Sequence, residues 1–183
     1  MSPGELEEIL DHHRIWVESE GKDGQRADFQ RAVLHDAYLQ CADLRGANFC
    51  QANLLGAQLQ NANLQGADFS EAHLHNASLQ GATLRSANFE GAQLIQANLQ
   101  EADLRQANMR RADLRDADLL EASLRRADLE AAFCRAANFF LADMRDACCC
   151  EAVFSLADLQ GDILKNADFS GAKIPDARLA GVD

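Results

Sequence analysis

The chain has 183 residues and a formal net charge of −12, with 17 Lys and Arg against 29 Asp and Glu. Such an acidic balance argues against a general binder of nucleic acid or of anionic membrane, since both are drawn to positive charge. The length suits one domain. No stretch approaches the roughly eighteen uninterrupted apolar residues of a membrane span, and the acidic start lacks the basic-then-apolar order of a secretion signal, so the expectation is a cytoplasmic protein.

Residues 1–19 read as an α-helix, with Ser2 as N-cap, Pro3 in the first turn and Glu5 three residues after the cap. Leu6, Ile9, Leu10, Trp16 and Val17 form its apolar stripe. Gly21 to Arg26 makes a hinge, so residues 1–26 are read as one unit and residues 27–183 as another.

From residue 27 the chain keeps a five-residue beat, clearest in ADLRG ANFCQ ANLLG AQLQN ANLQG ADFSE. Ala at the first position and Leu or Phe at the third are two apart, so on an extended backbone both face the same way, and the polar second residue faces the other. A helix cannot carry this pattern, because five residues advance it about 140° past a full turn. Phe29, Phe49, Phe69 and Phe89 recur every twenty residues, and Met109, Leu129, Cys149 and Phe169 continue the column. Twenty residues therefore make one coil of four short sides, each hydrogen-bonded to the coil above at about 4.8 Å. About eight such coils form a four-sided parallel β-solenoid, with glycines such as Gly46, Gly56, Gly66, Gly81 and Gly91 at corners that need positive φ. The helix is expected to cap the first core layer of Phe29, Leu34, Leu39 and Leu44, because a solenoid's open end must be closed.

Six cysteines follow the beat rather than a metal or disulfide spacing. Cys134 and Cys149 fall on core positions, Cys148 and Cys150 face outward, and Cys41 and Cys50 lie at corner or outward positions. His12, His13, His35, His73 and His75 are read as solvated; His73 and His75 share a strand face but lack further ligands. Nothing resembles a triad, a phosphate loop or a paired-carboxylate site, so no enzyme, cofactor or metal is expected.

The outward residues divide by side. The first side, residues 27–31 and their repeats, carries Asp28, Asp68, Glu71, Glu90, Asp128, Glu130, Glu151 and Asp168 against Arg31, Arg110 and Arg111. The fourth side, residues 42–46 and their repeats, carries a basic ladder of Arg45, Arg85, Arg105, Arg125, Arg145 and Lys165, joined by Arg126 and interleaved with Asp43, Asp103, Asp143 and Asp146. From about residue 120, apolar residues take over outward positions on neighbouring sides. Leu120, Phe133, Phe140, Leu141, Val153 and Leu156 form a candidate interface. After Leu164, Phe169, Ile174 and Leu179 the core ends without a visible cap. Lys173, Pro175 and Arg178 partly blunt that edge, and Asp162 replaces an inward Ala. An open end of this kind favours a two-fold dimer through the C-terminal half.

Repeats of the form A(D/N)LxG over residues 27–181 resemble the pentapeptide-repeat family. The resemblance implies a right-handed quadrilateral parallel β-helix, bacterial relatives and a non-enzymatic role in protein binding. Its best understood form is mimicry of duplex DNA toward type II topoisomerases such as gyrase. On this chain the first side would be the acidic surrogate, and the protein would not itself bind nucleic acid. The primary expectation is an interaction solenoid with an unidentified protein partner, and the alternative is a topoisomerase modulator.

Overall fold

A computed structural model describes residues 3–183, as a single α-helix followed by a β-solenoid. Helix α1 runs Pro3–Glu18; the N-cap expected at Ser2 lies outside the described residues. From Asp28 onward every second-position residue forms a parallel bridge with the residue twenty further on, from Asp28↔Asn48 to Asp158↔Arg178. Strand pairing is confined to these single bridges because the chain turns every five residues. Third-position amides reach up and second-position amides reach down, as in Phe49 N–H to the Asp68 carbonyl (2.7 Å) and Asn48 N–H to the Ala27 carbonyl (3.0 Å).

Each corner is closed by a first-position amide donating to the third-position carbonyl before it, for example Ala52 to Phe49 at 2.9 Å. Of the two residues between them, the second, at the fifth position, is at positive φ at all 31 corners from Arg31 to Gly181. That is the turn signature which favours glycine, yet 23 of these residues are not glycine. The ladder imposes the left-handed conformation on Arg, Gln, Glu and even Leu141 and Leu156, at a local cost of roughly 1–2 kcal/mol each. The preference for Asp or Asn at the second position has an equally local cause. The side-chain oxygen accepts the amide two residues on, as Asn48 does from Cys50 (3.0 Å) and Asp128 from Glu130 (2.9 Å), which fixes the entry to the corner.

Inside, the third-position side chains stack along the axis. Phe29, Phe49, Phe69 and Phe89 form a column with ring centroids 4.8–4.9 Å apart, the rise of one coil. First-position alanines from Ala47 to Ala157 are at most 1% exposed, small side chains buried where the wall turns inward.

Candidate interaction surfaces

Helix α1 lies against the first coil, with Leu6, Ile9 and Leu10 packed on the core and Phe29, Leu34, Leu39 and Leu44 exposed by 3% or less. The indole of Trp16 covers Gly21 and Gly46, and Val17 is half-buried beside it. His13 departs from the expectation of a solvated residue. It is fully buried, stacks on Trp16 (5.5 Å between centroids) and accepts the Ala27 amide at Nδ1 (3.0 Å). Burial holds its pKa below the usual histidine value. The spacing held the signal, since position 13 lies three and four residues from Leu10 and Ile9, but the polar type of the residue concealed it. A shallow groove of about 410 Å³ also opens between α1 and the first coil, lined by Glu5, Glu8, Ile9, Ala32 and Val33.

The acidic first side is broken in its middle. Arg110 bonds both Asp128 and Glu130, and Arg111 lies 3.9 Å from Glu90. Toward the N-terminus, Asp28 and Asp68 accept from the stacked amides of Asn48 and Asn88, and Glu71 accepts from Gln51. Beyond the break, Glu151 is exposed and Asp168 bonds Ser170, which keeps its carboxyl below the ordinary carboxylate range. The fourth side is a sequence of clamps. Arg45, Arg105 and Arg145 each grip the Asp two residues before them, Asp43, Asp103 and Asp143, through Nε and a terminal nitrogen. These pairs hold Asp43 and Asp143 below the ordinary carboxylate range. Lys165 extends the column, exposed.

Phe133, Phe140, Leu141 and Leu156 stand 37–49% exposed, with Val153 bridged to Phe133 and Leu120 half-buried below Phe140. Outward apolar residues are not confined to this half, as Val33, Tyr38 and Leu55 are exposed in the early coils. The last core layer opens upward: Leu164 and Phe169 are half-buried, while Ile174 and Leu179 are 43% and 40% exposed. Among the described residues, the amides of Phe169, Gly171, Ile174, Asp176, Leu179 and Gly181 have no carbonyl above them. Just beneath, Asp162 is fully buried in its alanine place; Oδ1 accepts the Ala142 amide at 2.9 Å, Oδ2 has no partner, and burial pushes its pKa up to about 8.

All six cysteines are free. Cys134 and Cys149 are core, with their thiol pKa values driven up by burial. Cys148 and Cys150 share the outward face with sulfurs 3.0 Å apart. Among the described residues no group of three or more His, Cys, Asp or Glu is placed to hold a metal ion, and no helix is long and apolar enough to cross a membrane.

The repeat, its bridges and its corners define a class, and comparison supplies the family. The family model for pentapeptide repeats matches residues 27–66, 52–91, 92–130 and 137–173, in eight copies. The chain belongs to the pentapeptide-repeat family. Among solved structures it is similar to HetL, a pentapeptide repeat protein involved in heterocyst differentiation regulation from the cyanobacterium Nostoc sp. strain PCC 7120. The identity is 36% over 85% of this chain and 73% of that chain, with a TM-score of 0.64. A second pentapeptide repeat protein from Nostoc PCC 7120 is 38% identical over 57% of this chain and 79% of its own, with a TM-score of 0.26. QnrB1, a plasmid-mediated fluoroquinolone resistance protein, is 20% identical over 70% of this chain and 82% of its own, with a TM-score of 0.41. No curated protein matches the chain in sequence.

Proposed function

We propose that the protein is a non-catalytic interaction solenoid, right-handed and square in section, with residues 1–26 as its cap and residues 27–183 as its rod. Binding is assigned to the C-terminal half, and the first occupant is a second copy of the chain. One observation carries this reading: the apolar group of Phe133, Phe140, Leu141, Val153 and Leu156 lies in the same half as the open amides and exposed Ile174 and Leu179 of the last coil. A two-fold contact hides that end without growing a fibre, because α1 blocks head-to-tail stacking. HetL's involvement in regulation is in keeping with a protein that acts by binding. The six free thiols fit a reducing, cytoplasmic setting.

Sedimentation at micromolar concentration tests the assignment. The expected species is twice 20.0 kDa, converted to monomer by Phe133→Asp combined with Phe140→Asp. A wild-type monomer refutes self-association. The alternative role, modulation of a type II topoisomerase, is favoured by the acidic first side below Arg110. It requires an effect on gyrase supercoiling that charge reversal at Asp68, Glu71 and Glu90 removes; no effect of the wild type retires it.

A further inference from the structure

On the fourth side, an Asp at the second position normally clamps the Arg two residues later, on the same face of the strand. At two coils the clamp is missing, because Thr83 precedes Arg85 and Ser123 precedes Arg125. Arg85 reaches instead to Asp103 in the next coil, already gripped by Arg105. Arg125 reaches toward Asp143, already gripped by Arg145, and comes only to 4.0 Å. Arg126, 66% exposed at the corner, is 3.9 Å from Asp146. Five arginines thus share three aspartates, a surplus of two positive charges on a molecule whose net charge is −12. Four of these five arginines, all but Arg145, face one concavity. Arg85, Arg105, Arg125, Arg126 and Gln106 line a cleft of about 280 Å³ that spans two coil steps, roughly 10 Å.

Guanidinium groups converging on one concavity, with their carboxylates shared rather than matched, form a receptor for a tetrahedral dianion. Each planar fork offers paired donors to phosphate oxygens. The surplus of two equals the charge of a phosphate monoester near neutral pH, about −1.5 to −2. A carboxylate would satisfy half of it. The rigid wall keeps the forks in place, so little order has to be gained on binding. We propose that this cleft is a binding site for a phosphate group of the monoester class, free or carried on a phosphorylated side chain. The cleft lies on the fourth side, whereas Leu120 and Phe140 stand on the third and Phe133 on the second, so the site does not depend on what those residues bind.

The test titrates the full chain with inorganic phosphate, followed by phosphorus NMR line width, and with a fluorescent phosphoserine peptide, followed by anisotropy. Both readouts are repeated with Arg125→Ser combined with Arg126→Ser. The control is Arg14→Ser combined with Arg135→Ser, which removes the same charge elsewhere. Saturable phosphate binding that weakens at least tenfold in the cleft variant and less than twofold in the control supports the site, provided both variants melt with the wild type. Peptide binding at least tenfold tighter than phosphate assigns the anion to a phosphorylated partner, and equal affinity assigns it to a free ligand. No binding of either probe, or equal loss in both double variants, overturns the proposal.

Discussion

At the first coil Phe29, Leu34, Leu39 and Leu44 are exposed by 3% or less, whereas Ile174 and Leu179, which continue two of the same columns at the last coil, are 43% and 40% exposed. The difference is not in the strands, which follow one pattern at both ends. Helix α1 seals the first layer twice: Leu6, Ile9 and Leu10 cover its apolar surface, and the His13 imidazole accepts the Ala27 amide. Among the described residues the last layer has neither seal. A solenoid coil contacts only its neighbours, so an element at one end cannot relieve the other. Each end also carries one buried ionisable group, and the two respond to pH in opposite directions.

Truncating the same aromatic column at three heights should expose the contrast most strongly. Phe69→Ala and Phe29→Ala, each fully buried, should lose about 3–5 kcal/mol. Phe169→Ala, half-buried at the open end, should lose about 1–2 kcal/mol, since the surface it leaves is already wet. Equal losses in denaturant titrations would mean that the last layer is as well sealed as the first.

Asp162 supplies the next effect. Its folded pKa of about 8 lies above the ordinary 3.8, so the folded state keeps a proton that the unfolded chain releases. Stability should therefore fall as pH rises from about 4 through 8. Asp162→Ala, which restores the repeat, should gain about 1–3 kcal/mol at pH 8.5, and the gain should shrink toward pH 5. A gain independent of pH would show that the carboxyl is not the strained group.

His13 behaves oppositely. Its folded pKa lies below 6.5, so the unfolded chain takes up the proton first, and stability is present above about pH 6.5 and lost as pH falls below it. His13→Ala should cost about 1–3 kcal/mol at pH 8, because the Ala27 amide loses its acceptor, and should flatten the acid limb of the melting profile. The smallest effect is expected at Gln80→Ala, an outward position, within about 0.5 kcal/mol; a larger shift would put outward ladders among the main supports of the rod.

Much of this was legible in the sequence because a five-residue beat on a twenty-residue column leaves few foldings open. The inward alanines and leucines, the Phe29 to Phe89 stack and the core cysteines follow from spacing alone. Corners such as Gln96 or Leu156 carry no glycine signal, and only the ladder reveals their positive φ. His13 was misplaced because a polar residue on an apolar stripe is indistinguishable from a solvated one until its acceptor role is seen. The charged surfaces were legible as columns but not as pairings. Which arginine finds its own aspartate, and which must share, depends on a reach of a few ångströms between coils.

Amide hydrogen exchange at the two ends tests the central claim, that the C-terminal end is the open, binding end. The amides of Phe29, Leu34, Leu39 and Leu44, each bonded to the coil above, should be protected at every protein concentration. Those of Phe169, Ile174 and Leu179 should gain protection only as concentration rises through the dimer transition and lose it in the Phe133→Asp, Phe140→Asp variant. Exchange at the last coil that stays fast at all concentrations, or protection that persists in the variant, would contradict the account.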